Sequence, residues 1–541
     1  MASVRWIFLS DLHFGERNSI LTDPAGPEPG SELVPNEGLS GLVACLRDVA
    51  RNNGAGAPPR LVLLGDIFEL ALAPRHEAFE AFARFVEQLF PAGEAPLLDP
   101  RLVFVPGNHD HDLWTSTRDD LLDQQLDRCG GRLQSTAPVT TAFDLLCPSE
   151  RVDVVPSRSR LLTRLLRRRL PHLQEIEVQV AYPNLGITDG ERAIVAHHGH
   201  FMDDVYLLMT TLANAVYGGT QRPLDLGRLE EDNAAWIDFV WSSLGREGAL
   251  AAGLRRSYDL LQSESGRILL SSRIAAALAD ALPLRLGQRL RQRLLLPVVL
   301  RVVDALDHSD VRRALTEKVT VTKEVIGYVD GLLAASLREE LRQREERPRE
   351  FTYVYGHTHK PLAQTAWLPA EQQEVAIYNT GGWVVDTNVP RPGTSGAMLL
   401  VDDRLDTVLV SMGRQVLSPH QELPQIATAT AFSGAFVRHV EGMVANVDGP
   451  WRRAAAALGG AILRRRAEHA ARLVREVEEL SAYERLALRT EYLWKLIARR
   501  RERTQAAIHG LLATGGSGEM HTPHLVREYS PLALQPEAQV L

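Results

Sequence analysis

Cysteine is scarce in this chain. Only Cys45, Cys129 and Cys147 occur among 541 residues, and none belongs to a CxxC pair. An odd, scattered set argues against a disulfide framework and against a thiolate zinc site, and it fits a reducing, cytoplasmic setting. Long apolar runs are scarce too. The stretch 294–300 is broken by Pro297 and falls far short of the roughly 20 residues of a membrane span. The N-terminus shows no basic region, long apolar stretch and small-residue cleavage site of a secretory signal, so a soluble protein is expected. Excess positive charge is also lacking: 60 Lys and Arg face 68 Asp and Glu, a net charge of -8. That balance, with no interleaving of aromatic and basic residues, disfavours nucleic acid as a partner. No internal repeat is present.

The length predicts two or three folding units. The first 115 residues alternate strand and helix signals. Apolar runs at 4–10, 61–64 and 102–105 read as strands, and helical spacing marks 39–51 and 76–90. This βαβαβ order predicts parallel strands buried on both faces. A strand pair is expected from 176–182 and 192–196, then a long helical stretch from about residue 204 to 347. Further strands are expected at 351–355, 375–379, 383–387, 397–401 and 407–411, with helix again from about 415 onward. The expected organisation is an α/β (α+β) domain formed by 1–203 and 350–412. It is interrupted by a helical insertion at 204–349, a candidate cap, and followed by a helical extension at 413–513 and a loose tail at 514–541.

Five polar clusters fall at the C-terminal ends of the expected strands. They are Asp11-Leu12-His13, Gly65-Asp66, Gly107-Asn108-His109-Asp110, His198-Gly199-His200 and Gly356-His357-Thr358-His359. Ligand sites in α/β sheets gather outside those ends. Carboxylate, imidazole and amide oxygen suit manganese, iron or zinc. One shared carboxylate, Asp66, could bridge two ions about 3.5–4 Å apart, the spacing of two-metal phosphoryl chemistry. Any one of these clusters alone is weak, because a lone Asp-x-His is usually a solvated loop.

In order and type the five clusters resemble those of the calcineurin-like metallophosphoesterases, over about 4–203 and 350–412. The resemblance implies a four-layer β-sandwich flanked by helices and a hydrolase acting on phosphate ester or phosphoanhydride bonds. It implies two divalent metal ions, with Mn2+ ahead of Fe2+ or Zn2+. Carried over, Asp11, His13, Asp66 and His359 would hold one ion, and Asp66, Asn108, His198 and His357 the other. His109 would be the general acid or phosphate contact, oriented by Asp110. His198 is preferred to His197 because it directly precedes Gly199. His200 and Asn379 are candidate site-lining residues, and Glu69 is at most a supporting group.

The segments Leu9-Ser10-Asp11-Leu12-His13 and Gly65-Asp66-Ile67-Phe68-Glu69 are most similar to the branch containing the UDP-2,3-diacylglucosamine pyrophosphohydrolases, whose insertion caps a lipid. The longer insertion and the C-terminal helices depart from that pattern and leave the substrate open. Alternatives are a nuclease or nucleotide phosphodiesterase and, from another class, a non-catalytic binding protein on this fold. Basic amphipathic stretches at 158–170 and 284–294 could touch an anionic membrane or merely cover core with arginine stems, the commoner case.

Overall fold

In a computed structural model the protein is described over residues 3–26, 32–54, 56–128, 136–147, 157–218, 224–243, 260, 264–281, 291–292, 294–300, 320–385, 396–412, 423–429 and 434–478. The expected tail at 514–541 and the greater part of the basic stretch 284–294 lie outside these residues. Two compact units are distinguished. One comprises Met1–Leu254, Ser309–Val385 and Pro390–Arg465; the other comprises Arg255–His308, Asp386–Val389 and Arg466–Leu541. Within the second, Leu260, Ile268, Leu269, Ala275, Leu296, Val299 and Leu300 form a small apolar cluster.

The first unit begins β1 (Val4–Leu9), a small hairpin of β2 (Thr22–Pro24) and β3 (Leu33–Pro35), α1 (Glu37–Arg51), β4 (Arg60–Leu63), α2 (Arg75–Leu89) and β5 (Arg101–Phe104). It continues with α3 (Asp112–Arg128), α4 (Arg160–Arg169), β6 (Glu177–Val180), β7 (Asn184–Thr188) and β8 (Arg192–His197). After β8 come α5 (Leu208–Tyr217), α6 (Leu226–Ile237), α7 (Lys323–Tyr328) and α8 (Ala334–Arg344). The chain then returns to strands: β9 (Glu350–Tyr355), β10 (Leu362–Leu368), β11 (Gln373–Asn379), β12 (Gly396–Asp402), β13 (Thr407–Met412) and β14 (Gln425–Ala427). Helices α9 (Gly434–Ala445) and α10 (Trp451–Glu478) follow.

Two sheets carry the fold, seven strands in the order β14-β13-β12-β1-β4-β5-β6 and five in the order β10-β11-β9-β8-β7. Side-chain alternation sorts the apolar residues. Phe8, Val62, Leu64, Val103 and Val105 of the first sheet meet Ile194, Ala196, Val354, Ala376 and Tyr378 of the second in one core. Their neighbours Ile7, Leu9, Leu61, Leu63, Leu102 and Phe104 point the other way, into a core shared with Leu42 and Leu46 of α1 and Phe82, Phe85 and Leu89 of α2. Both faces are thus buried, which is why these strands read as unbroken apolar runs. The result is the expected four-layer sandwich flanked by helices.

Strands β1, β4, β5 and β6 run parallel, as do β8, β9 and β11. Their C-terminal ends carry all five polar clusters. Adjacent strands β8 and β9 are parallel, so residues 198–349 form the crossover between them.

Several expectations need correction. The segments 176–182 and 192–196 do not pair: β6 joins β5 in one sheet, and β8 pairs with β7 in the other. Residues 383–385 are buried loop rather than strand, with Val384 making one isolated bridge to Ser19; residues 386–387 of that expected strand lie outside the described residues. Strand β14 extends the sheet beyond residue 412, before helix resumes. Among the described residues no helix is long and apolar enough to cross a membrane.

The C-terminal residues are integral to the first unit as far as Arg465. Trp451 is fully buried, and its indole N–H donates to Asp48 of α1 at 2.8 Å. Arg465, also buried, donates to the Ser19 carbonyl at 3.0 Å and pairs with Asp23 at 2.5 Å. Truncating a buried Trp costs about 3–5 kcal/mol. Trp451→Ala is therefore expected to destabilise the sandwich by about that amount, measured by denaturant unfolding of the full chain.

Candidate metal centre

The loops after β1, β4 and β5 and those after β8 and β9 converge at one edge of the sandwich. Asp11, His13, Asp66, His357 and His359 all have positive φ, between 46° and 65°. Non-glycine residues pay to adopt that conformation, and such strain concentrates where function fixes a side chain. The loops are held by one another. The Asp11 N–H donates to the Gly65 carbonyl at 2.9 Å and the His13 N–H to the Asp66 carbonyl at 3.0 Å. The His357 N–H donates to the Asp11 carboxylate at 3.0 Å, which ties the two sheets together. At Gly356 a Cβ would stand 2.5 Å from Asp11 Oδ2, so glycine is needed there for close approach.

Three groups of side chains among the described residues could hold a metal ion, one of them His13, Glu69 and His109. Asp11, His13 and His359 make another, and Asp66, His198 and His357 the third; all are buried. His359 Nε2 is 3.2 Å from both Asp11 Oδ1 and His13 Nε2. His198 Nε2 is 3.1 Å from Asp66 Oδ2 and from Asn108 Oδ1. The other nitrogen, His198 Nδ1, is 3.1 Å from the Leu64 carbonyl. A carbonyl only accepts, so Nδ1 carries a hydrogen. Burial opposes charge on His198, but Asp66 raises it above the usual imidazole value, so Nε2 and the two oxygens it meets need a proton or a metal ion between them. Asp66 Oδ2 finds no hydrogen-bond donor in good geometry, and it is 3.8 Å from His13 Nε2. It therefore faces both His13 and His198.

The electrostatics agree with this chemistry. Burial pushes His13 down, toward the neutral imidazole that ligation requires. Burial works against ionisation of Asp66, but His198, His109 and His13 hold its carboxyl well below the usual range. The buried donor set is thus the nitrogen and oxygen set that borderline divalent ions prefer.

Two supporting roles differ from expectation. Asp110 does not orient His109. Its Oδ1 accepts from Gly107 N–H at 2.6 Å, and its Oδ2 accepts from Ile67 at 2.7 Å and Phe68 at 3.2 Å. With those backbone groups to satisfy, it splices the β4 and β5 loops. Glu69 takes the orienting role, with Oε1 3.0 Å from His109 Nδ1 and Oε2 3.1 Å from His13 Nδ1. Burial would raise the Glu69 carboxyl, but His109 and His13 bring it to about 2. Its place three residues after Asp66 was the only signal for it.

His198, not His197, stands beside Asp66. His197 stacks instead on Tyr355, rings 6.1 Å apart, and burial pushes it down to about 3. His200 lies just beneath, its ring 5.8 Å from His198 and its Nε2 3.1 Å from the Tyr182 hydroxyl. Asn379 acts on the backbone: its amide donates to the Gly356 carbonyl at 2.7 Å and to Thr358 Oγ1 at 3.0 Å. On α4, Arg169 pairs with Glu80 and Glu87, Arg160 pairs with Asp123, and Arg167 donates to the Ile176 carbonyl. These arginines hold the fold together.

Residues 4–240 match the calcineurin-like phosphoesterase family. No curated protein matches the chain. Among solved structures, a dimetal phosphatase from Danio rerio is similar at 13% identity, with 80% of this chain and 100% of that chain covered and a TM-score of 0.25.

Sequence reasoning gave no warning of a third set of residues, which comes from the crossover. His111 is fully buried between Asp238 (Nδ1 to Oδ1, 2.7 Å) and Glu230 (Nε2 to Oε1, 3.2 Å). Burial opposes its charge, but Glu230 and Asp238 raise it from 6.5 to about 10. Between those values the folded chain holds a proton that the unfolded chain has lost, so stability falls as pH rises. We expect wild-type unfolding free energy to decline from pH 6.5 toward pH 10, and His111→Gln to be less stable at pH 6 and to lack that part of the slope. Denaturant titrations at pH 6, 8 and 10 measure both.

Proposed function

We propose, from the match of residues 4–240 to the calcineurin-like phosphoesterase family, that this chain is a hydrolase that cleaves a phosphate ester or pyrophosphate bond at the buried cluster around Asp66. The first ion would be held by Asp11, His13, Asp66 and His359, and the second by Asp66, Asn108, His198 and His357. One observation carries the assignment: Asp66 Oδ2 lies between His13 Nε2 and His198 Nε2, at 3.8 and 3.1 Å. A carboxylate so placed suits a bridge.

Bound there, two divalent cations would offset the charge of the phosphate and lower the pKa of water toward neutrality. The chain's own groups do the rest. Glu69 fixes His109 through Nδ1, and Nε2 would be the nitrogen that meets the ester. From there His109 stabilises charge or protonates the leaving oxygen. Asp110 keeps the Asn108 and Asp66 loops in register. Oxygen and nitrogen donors without thiolate suit manganese, iron or zinc, and the family resemblance puts manganese first. With few cysteines, a reducing cytoplasm suits the chain.

A lipid-linked substrate is the finer reading. Tyr206, just before α5, has its ring 5.4 Å from His357 and 4.5 Å from Trp241. Close by in sequence, Val216, Tyr217 and Phe239 are 70%, 65% and 61% exposed. Exposed apolar side chains on the same crossover suit an amphiphilic ester better than a nucleic acid. The pairing of the α4 arginines and the acidic net charge also weigh against a nuclease. Peripheral contact with an anionic membrane would fall to the remaining basic residues.

Two experiments test this. Metal analysis of the full chain should find two divalent ions, and Asp66→Ala should lose at least one. Removing several kcal/mol of charge stabilisation should lower Mn2+-supported turnover of a chromogenic phosphoester about a thousandfold. An Asp66→Ala chain with unchanged turnover and metal content would sink the assignment. Separately, Val216→Glu with Phe239→Glu should depress kcat/KM on a micellar lipid phosphate about tenfold or more, while sparing a small chromogenic ester; burial of one apolar side chain is worth about 1.5–3 kcal/mol. Equal effects on both substrates would defeat the lipid reading.

A further inference from the structure

The crossover between β8 and β9 does more than border the site. After α6 the chain forms a π-helical segment, Asp238–Ser243. Such segments are rare and recur at functional sites. This one faces the loop that bears Asn108. Ser242, fully buried, donates its hydroxyl to the Asn108 carbonyl at 2.7 Å. One helical turn earlier, Asp238 takes His111 Nδ1 at 2.7 Å and the Thr115 hydroxyl at 2.7 Å. From α6, fully buried Glu230 takes His111 Nε2 at 3.2 Å and the Tyr182 hydroxyl at 2.9 Å. The run from Asn108 to Thr115 is therefore held at three points by side chains more than 110 residues away in sequence.

We propose that Ser242, Asp238 and Glu230 are positioning residues, which clamp the Asn108–His111 loop so that the Asn108 amide oxygen meets the second metal ion. The clamp rests on Asn108 being a ligand of that ion, as argued above. The chemistry needs such a device. An amide is a neutral, weak donor, and its contribution depends on being held in place rather than on charge. His198 is fixed from the sandwich itself, through the Leu64 carbonyl, while Asp66 is tied to the clamped loop by the His109 N–H to Oδ1 contact at 2.8 Å. Asn108 is fixed on one side by the sandwich and on the other by the crossover. Glu230 and His111 are fully buried and Asp238 is 19% exposed, and removing one member would leave an uncompensated group, so the geometry is strongly enforced. Displacement of α6 or of the π-helical segment would therefore act first on the second metal, and on the first ion only indirectly, through Asp66.

The test is a titration of Mn2+ into metal-free full chain, followed by EPR and by turnover of a chromogenic phosphoester. Ser242→Ala and Asp238→Asn are compared with wild type. Loss of an outer partner of a ligand commonly costs about 10–100-fold in affinity. The expected result is a second Mn2+ bound about tenfold or more weakly in each variant. The first is bound as in wild type, and kcat largely recovers at saturating Mn2+. Ser242→Ala removes one hydroxyl only, so it decides the matter if Asp238→Asn does not fold. A lowered melting temperature with both Mn2+ affinities unchanged would reduce these residues to packing and overturn the proposal. A wild-type chain that binds only one Mn2+ would overturn both the clamp and the two-metal assignment. Two Mn2+ ions bound normally by Ser242→Ala would overturn the clamp alone.

Discussion

Everything at this edge of the sandwich follows from crowding acceptors where water cannot screen them. Asp11, Asp66, Asn108 and four histidines crowd oxygens and imidazole nitrogens together, within 4.8 Å of one another in each carboxylate–histidine group, in a region with almost no exposed surface. Such an array repels itself unless protons or cations stand between its members. Five of the backbone positions that build it lie in the left-handed region, and each costs about 1–2 kcal/mol. The cluster is not a local preference of the chain. The rest of the fold imposes it.

The imposition comes from the two sheets. Their shared apolar layer fixes the strand ends, and the loops are then tied by side chains that satisfy backbone groups of a different loop. Asp110 binds the β4 loop from the β5 loop, Asp11 binds the β9 loop from the β1 loop, and Asn379 binds the β9 loop from β11. Buried backbone donors and acceptors must be satisfied, so these three side chains serve structure and placement together. That explains why Asp110, although adjacent to His109, is unavailable to it. Glu69, one turn past Asp66, has both oxygens directed at the two histidines.

How much of this was legible in the sequence depended on how local each signal is. The five clusters could be read because each is a short motif after an apolar strand, and their order fixes the arrangement of the site. Strands buried on both faces were found from their continuous runs. Strand β7 escaped because Gly186 interrupts it: a Cβ there would strike the Phe143 ring at 2.4 Å, so the strand gives up apolar signal for a close contact. Strand β10 reads Leu-Ala-Gln-Thr-Ala-Trp-Leu, an edge strand half open to solvent, whose Trp367 is 54% exposed. Edge strands show weak periodicity. The expectation that Asp110 orients His109 failed because nearness in sequence says nothing about which buried N–H groups compete for a carboxylate.

Glu230, Asp238 and Ser242 belong to a different kind of information. They carry no motif, they lie in helical sequence whose apolar spacing resembles any packed helix, and their partners are far away in the chain. Only the folded arrangement shows that α6 and the segment after it reach the Asn108 loop. The consequence concerns what an insertion can do in such a fold. A crossover attached only by its ends could change substrate access and nothing else. This crossover shares buried hydrogen bonds with the Asn108–His111 loop, and it also carries the exposed apolar side chains Val216, Tyr217 and Phe239. If Asn108 holds a metal ion as proposed, access and chemistry are not independent, because the chain that borders the site also positions one of its ligands.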